Sequence, residues 1–421
     1  MTNKKHIVII GAGFAGLKLA RMLNNHSAYN ITLIDKNNYH QFQPLFYQVA
    51  VANLDASNIS FPLRNIFEKS KNVSIRIGNV NFINTATNTL ETSAGLFNYD
   101  YLVIATGATT NYFGNAAIAE FSFPMKSTWD ALQIRNTLIQ HFEDAVSSTT
   151  FDNTKNLSIV IVGGGPTGVE LSGALAEMKS DSLPYQYPEL DFTKMSIYLI
   201  EGSDRLLSNM SAVSSKTAKI YLEEMGVTVK TNTLVKNYDG AKIVLQDDST
   251  ISSTFVIWAA GVKGNSPQGI NPLIITKTNQ LKTDLFNRVH LTQNIFALGD
   301  IAFIETELYT KGFPQLASVA IDQAKNLAEN FKRLAKNEQI LPYNYVNKGS
   351  MATVGRNKAV VDLASPALSF QGFPAWIVWM TLHLFLLIGF KNRIIVFVNW
   401  IYKYFTHRQS LALLYDGLKK R

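Results

Sequence analysis

Ile7-Val8-Ile9-Ile10-Gly11-Ala12-Gly13-Phe14-Ala15-Gly16 opens this chain with an apolar run, a glycine turn and the start of a helix. A strand covered on both faces reads as a continuous apolar run, so Ile7 to Ile10 is expected to lie inside a parallel sheet. Three glycines spaced Gly-x-Gly-x-x-Gly, where such a strand passes into a helix, form the dinucleotide-binding fingerprint. They permit a tight turn and let a pyrophosphate reach the free N–H groups and positive dipole end of the helix.

The same pattern returns at Ile159-Val160-Ile161-Val162-Gly163-Gly164-Gly165-Pro166-Thr167-Gly168, 152 residues downstream. The repeat extends further. Ile31-Thr32-Leu33-Ile34-Asp35 is echoed by Ile197-Tyr198-Leu199-Ile200-Glu201, and Leu102 to Gly107 by Val256 to Gly261. Two copies of one nucleotide-binding domain follow. In each, the acid at the end of the second strand, Asp35 or Glu201, is placed to accept hydrogen bonds from a ribose. A carboxylate there repels a 2′-phosphate, which favours NADH over NADPH in the second copy, with Arg205 nearby as the opposing charge.

The predicted fold is α/β, with two Rossmann-like domains and a C-terminal helical segment. The expected division runs 1–115, 116–270 as an inserted domain, 271–361, and 362–421 for the C-terminal helices. The chain contains no cysteine, which excludes a disulfide framework, a thiolate metal site and a redox disulfide as electron acceptor. No metal site is expected, and the chemistry is left to cofactors. The first apolar run leads directly into the first fingerprint, so no removable signal peptide is expected and the cytosol is the default compartment.

The formal net charge is +8, and residues 391–421 hold seven of the basic residues against one acid, Asp416. A basic tail rich in aromatics points to anionic lipid rather than nucleic acid. Leu363 to Phe390 contains no charged residue, but Pro366, Gly372 and Pro374 restrict a continuous helix to about Ala375–Phe390. That is about 24 Å against an apolar core of about 30 Å. Lys391-Asn392-Arg393 is expected to interrupt, and Ile394 to Phe405 to form a second short helix. Both are expected to lie on the bilayer as a monotopic anchor; a short spanning hairpin or a dimer interface is the alternative.

Both fingerprints, Asp35, the loop Phe42-Gln43-Pro44-Leu45-Phe46-Tyr47-Gln48-Val49-Ala50, Ala105-Thr106-Gly107, Phe296-Ala297-Leu298-Gly299-Asp300 and the aromatic tail together resemble the type II NADH dehydrogenases. These are the non-pumping NADH:quinone oxidoreductases of the two-dinucleotide-binding-domain flavoproteins.

The resemblance implies FAD in the first copy, held by Gly11, Gly13, Phe14, Ala15, Gly16, Asp35, Lys36, Gln43, Val80, Ala105, Thr106, Gly107, Gly299, Asp300 and Ala317. It implies NADH in the second, held by Gly163, Gly165, Pro166, Thr167, Gly168, Glu170, Glu201, Ala260 and Gly261. Asp300 would bind the ribityl or pyrophosphate portion of the flavin, a helix N-cap being its alternative. Glu170 is the glutamate that the family places near the nicotinamide, to orient NADH or deliver protons.

The family's quinone helix carries Ala-Gln-x-Ala-x-Gln, whereas this chain has Ala317-Ser318-Val319-Ala320-Ile321-Asp322, with Gln315 and Gln323 out of register. Gln315, Ser318, Ile321, Asp322 and Trp376 are the quinone-site candidates. Asp322 and His383 are candidates for the proton path, with a solvated helix residue and a packed or interfacial histidine as alternatives. Trp376 and Trp379 are candidates for the entry from the membrane.

The implied partners are a quinone, either ubiquinone or menaquinone, and an anionic membrane surface on the cytoplasmic side, with a homodimer compatible and no nucleic acid. Sulfide:quinone and disulfide reductases of the same fold require cysteines. A ferredoxin- or rubredoxin-type reductase, or a flavin-bound membrane sensor, stays open as the second reading.

Overall fold

The computed structural model describes residues 4–147, 157–408 and 411–414. Asp416, Lys419, Lys420 and Arg421 of the basic tail lie outside these residues.

The chain divides into two compact units. The first comprises Met1–Gln41, Phe61–Thr109 and Val262–Asn347; the second comprises Phe42–Ser60, Thr110–Gly261 and Lys348–Arg421. The loop from Phe42 and the C-terminal segment therefore belong with the second fingerprint. The expected boundary at 361/362 falls inside the strand Lys358–Ala364.

The first unit is built on a five-stranded parallel sheet in the order Ile295–Ala297, Tyr101–Ile104, Lys5–Ile10, Tyr29–Asp35, Val73–Ile77. Ile7, Val8 and Ile9 are wholly buried, as a strand covered on both faces requires. The second unit repeats the arrangement in the order Phe123–Pro124, Phe255–Trp258, Ile159–Val162, Ile197–Ile200, Val227–Lys230. Register confirms the duplication. Ile10 is paired to Ile34 and Ile104, and its counterpart Val162 to Ile200 and Trp258.

The second unit also holds an antiparallel sheet of Ser350–Gly355, Lys358–Ala364 and Ala367–Gln371. The uncharged stretch from Leu363 thus begins as a hairpin. The sheet packs onto the helix Pro166–Glu177 at Gly173, where an added Cβ would stand 1.5 Å from the carbonyl oxygen of Val354. That contact sets Thr353 beside Glu170, one helical turn before Gly173.

Two helices follow, Phe373–Leu386 and Phe390–Thr406. At 14 and 17 residues they measure about 21 and 26 Å, and no helix among the described residues is long and apolar enough to cross a membrane. The break lies at Leu387–Gly389, where Gly389 takes φ +83°, and not at Lys391-Asn392-Arg393. Those three residues form the first turn of the second helix. Arg393 donates to the carbonyls of Leu387 and Phe385, and Asn392 to those of Ser57 and Asn58. Satisfying carbonyls left open at a helix end is what places this polar triplet inside a helix.

Candidate functional site: two nucleotide cradles and an acid-containing cleft

The two fingerprints fold alike. Asp35 Oδ2 accepts from Ala12 N at 2.7 Å and Oδ1 from Asn37 N at 2.7 Å. Glu201 Oε2 accepts from Gly164 N at 2.5 Å, and Oε1 from Ser203 N and Oγ at 2.7 and 2.5 Å. Each acid ties the glycine turn to the end of the neighbouring strand. Burial raises the pKa of Asp35, opposed by its two backbone donors and by the charge of exposed Lys36.

The last glycine of each fingerprint is a packing requirement, because a Cβ on Gly16 or Gly168 would stand 1.9 Å from the carbonyl oxygen of Gly11 or Gly163. Gly13 and Gly165 differ. Their φ of −68° and −71° suits any residue, and an added Cβ would meet no described atom within 4 Å. Neither the backbone nor the protein interior demands glycine there, whereas a pyrophosphate approaching the helix N-terminus does. The residues present fit a dinucleotide in both cradles.

Around the first cradle, Phe14 packs edge-on against His40 at 5.4 Å, and Ala15 is buried. Thr106 Oγ1 donates to Asn265 O at 2.7 Å, and Asn265 N to Gly107 O, which fixes the segment after Ala105. Val80 starts a small antiparallel sheet in the same unit, while Gln43 lies in the second unit, in the turn Gln43–Leu45. Asp300 lies within the short 3-10 turn Gly299–Ile301 and is not the N-cap of the helix Ala317–Leu334, a place taken by Leu316.

Gln315 and Gln323, out of register for the family's pattern, both brace the Gly299–Asp300 turn. Gln323 Oε1 accepts from Gly299 N at 2.7 Å, and Gln315 Nε2 donates to Asp300 O at 2.8 Å. Ser318 and Ile321 are half-buried on that helix, and Asp322 pairs with Lys325 at 3.0 Å. In the second cradle, Pro166 and Thr167 stand exposed at the helix start, and Ala260 and Gly261 follow the strand Phe255–Trp258. Arg205 donates to Ser208 O.

Glu170 lies inside the second unit, 8% exposed, in a cleft whose walls include Tyr47, Gln48, Thr353, Trp376, Trp379 and Trp400. Its Oε1 accepts from Trp379 Nε1 at 3.2 Å and, more distantly, from Thr353 N at 3.5 Å. Burial pushes its pKa up to about 8, against those two donors. With both donors on Oε1, the proton of the neutral acid belongs on Oε2.

His383 Nδ1 donates to Trp379 O at 2.7 Å, and its ring stacks on the Trp379 indole at 4.0 Å. Burial holds His383 down to about 4, so it is neutral and part of the packing. Across the cleft, Lys403 Nζ meets Glu177 Oε2 at 2.7 Å, and Arg356 N donates to Glu177 Oε1. Nothing in the sequence alone assigns Tyr47, Gln48, Thr353 and Trp400 to a site. The loop from Phe42 to Ala50 was the one available signal for the first two.

The walls Trp376, Met380, Trp400 and Tyr404 also border an apolar groove between the two C-terminal helices, lined further by Phe373, Ile377, Leu384, Phe397, Ile401 and Phe405. The cleft and the groove therefore share a wall.

Residues 5–324 match the family described as pyridine nucleotide-disulphide oxidoreductase, and residues 347–409 match the NDH2 C-terminal domain. The type II NADH:quinone oxidoreductase Ndh of Mycobacterium tuberculosis is 34% identical, over 98% of this chain and 91% of its own length. This chain belongs to the type II NADH:quinone oxidoreductases. The fold agrees with that of NDH2 from Plasmodium falciparum, solved in complex with NADH, at a TM-score of 0.88, 22% identity, and coverage of 96% of this chain and 99% of that one. It also agrees with the sulfide:quinone oxidoreductase of Aquifex aeolicus, at a TM-score of 0.72, 21% identity and coverage of 96% of each chain. A type II NADH:quinone oxidoreductase without cysteine has no thiol to offer a sulfur substrate.

Proposed function

We propose that this chain passes two electrons from NADH through FAD to a membrane quinone without pumping protons, while its C-terminal helices rest on the cytoplasmic face of a bilayer. The observation that carries the acceptor assignment is the buried Glu170 at the inner wall of a cleft bordered by the apolar groove of those helices. A quinone needs both features: apolar walls for its tail and ring, and a proton source for its oxygens.

In the first cradle, Gly11, Gly13, Gly16 and the N-terminus of the helix Phe14–Met22 would hold the FAD pyrophosphate, Asp35 a ribose, and Asp300 the ribityl or pyrophosphate portion. Gly163, Gly165, Gly168 and Glu201 would hold NADH in the same way. When bound, FAD supplies a two-electron acceptor and donor. The overall reaction is NADH + H⁺ + quinone → NAD⁺ + quinol.

The chain's own share is positioning and proton supply. Glu170 holds a proton up to about pH 8, and a quinone oxygen gaining electrons draws it from Oε2. Trp379 and Thr353 fix the carboxyl through Oε1 and stabilise the carboxylate left behind.

The two helices expose Phe385, Phe390, Phe397 and Phe405, with Lys391 and Arg393 in the first turn of the second. Aromatic residues beside cations suit a bilayer interface carrying anionic lipid. Steady-state NADH oxidation with ubiquinone and menaquinone analogues tests the assignment. One quinol per NADH supports it, and NADH oxidation that never consumes quinone contradicts it.

A further inference from the structure

Two hydrogen bonds in series join the helix Phe390–Thr406 to the cleft, and their direction follows from the groups involved. Trp400 Nε1 lies 2.7 Å from Gln48 Oε1, and an indole N–H only donates. The amide of Gln48 must therefore turn its oxygen to Trp400 and its NH₂ the other way. That NH₂ donates to the Tyr47 hydroxyl at 2.9 Å. A flipped amide would set N–H against N–H. The Tyr47 oxygen is thus an acceptor toward Gln48, and its own O–H is left to donate elsewhere.

Tyr47, Gln48 and Trp400 all line the cleft that holds Glu170, and each is less than one-tenth exposed. Burial, aided by the charge of Glu170, raises the Tyr47 pKa well above 10, so the phenol keeps its proton at working pH. A quinone ring presents acceptors only, its two carbonyl oxygens, and is recognised by donors. Tyr47 and the neutral Glu170 are two hydroxyl donors of unlike acidity in the cleft, beside the hydroxyls of Thr353 and Tyr404.

We propose that Tyr47 is a substrate-binding donor whose O–H bonds one carbonyl oxygen of the quinone, its direction set by Trp400 through Gln48. Glu170 yields a proton in the reaction, whereas Tyr47 orients the ring and neither gains nor loses one. This assignment rests on the reading of the cleft as the acceptor site. It also makes the orientation of a cleft residue depend on a side chain of a C-terminal helix.

The test compares Tyr47→Phe, which removes the O–H and little else, with Gln48→Glu. The latter still accepts from Trp400, but its second oxygen cannot donate, so the Tyr47 O–H turns to that carboxylate and away from the cleft. Both variants are expected to raise KM for a short-chain ubiquinone analogue by about tenfold, the scale of one buried hydrogen bond. The rise should be confined to quinone, because ferricyanide has no carbonyl oxygen to bind, and its reduction in the same samples reports folding and flavin content. The double variant should be no worse than either single one, since both remove the same bond.

An unchanged KM in Tyr47→Phe, or losses in the two variants that multiply when combined, would overturn the assignment. An unaltered protein that reduces ferricyanide but no quinone would overturn the acceptor-site reading, and this proposal with it. Quinone reduction that proceeds equally well in Tyr47→Phe overturns this proposal alone.

Discussion

Trp379 Nε1 donates to Glu170 Oε1 across 3.2 Å, joining a C-terminal helix to an acid 209 residues earlier in the chain. The bond fixes a buried carboxyl whose other oxygen is left to hold a proton. Trp379 is itself 1% exposed, so the partner cannot swing away without opening the packing beneath the helix.

Glu170 stays neutral until about pH 8, so the rate of quinone reduction should fall as pH rises through that value. Glu170→Gln should lower the rate by roughly a hundredfold and abolish the step in the pH profile, since general acids contribute about 10²–10⁴-fold. Stability follows by linkage. The folded-state pKa lies above the unfolded one, so the folded protein holds its proton while the unfolded chain releases it, and stability declines between about pH 4.5 and 8. Thermal unfolding of Glu170→Gln across this range should lack that decline.

The fingerprint glycines should separate folding from cofactor retention. Gly16→Ala sets a Cβ 1.9 Å from the Gly11 carbonyl oxygen and should prevent stable folding. Gly13→Ala meets no described atom within 4 Å, so the protein should fold but lose its flavin, read as normal circular dichroism with reduced absorbance near 450 nm. Flavin retained at full occupancy in Gly13→Ala would show that the pyrophosphate lies elsewhere.

Glu201 should set the nicotinamide preference. Its carboxylate accepts from Gly164 N and from Ser203, and in the proposed reading its charge would face the ribose 2′ position. Glu201→Gln should reduce the ratio of kcat/KM for NADH over NADPH by about tenfold, because the repulsion of a 2′-phosphate is removed. An unchanged ratio would show that the ribose is held by other groups.

Membrane docking should reside in exposed rings rather than in the whole segment. Deleting residues from Leu363 onward would also remove Trp379 and Trp400 from the cleft, so point changes are the cleaner test. Phe385, Phe390 and Phe405 are 68%, 78% and 76% exposed. Replacing the three by Ser should release the protein from vesicles containing anionic lipid while leaving its thermal unfolding unchanged. A triple variant that still sediments with vesicles would place the contact elsewhere.

Residues close in sequence made the fold legible. Each fingerprint, its preceding strand and its matching acid stand within about forty positions, and their chemistry is set by backbone turn and helix dipole alone. The cleft was less legible, because its walls come from four separated segments. Glu170 was recognisable by its place after a fingerprint, but nothing local marks Trp379 as its donor. Tyr47 and Gln48 stood in a recognised motif without a role, since the direction of their hydrogen bonds depends on Trp400, some 350 residues away. Gln323 shows the reverse case. It stood out of register for the family's pattern and was given no role, and its position four residues past Val319 on the helix turns it inward onto Gly299 N.

In the proposed reaction a quinone takes the electrons. Stopped-flow mixing of the NADH-reduced protein with a quinone analogue, followed by flavin absorbance near 450 nm, tests it most directly. The absorbance is expected to return as quinol forms in equal amount, slowed by about two orders of magnitude in Glu170→Gln. A flavin that NADH bleaches and no quinone restores would contradict it.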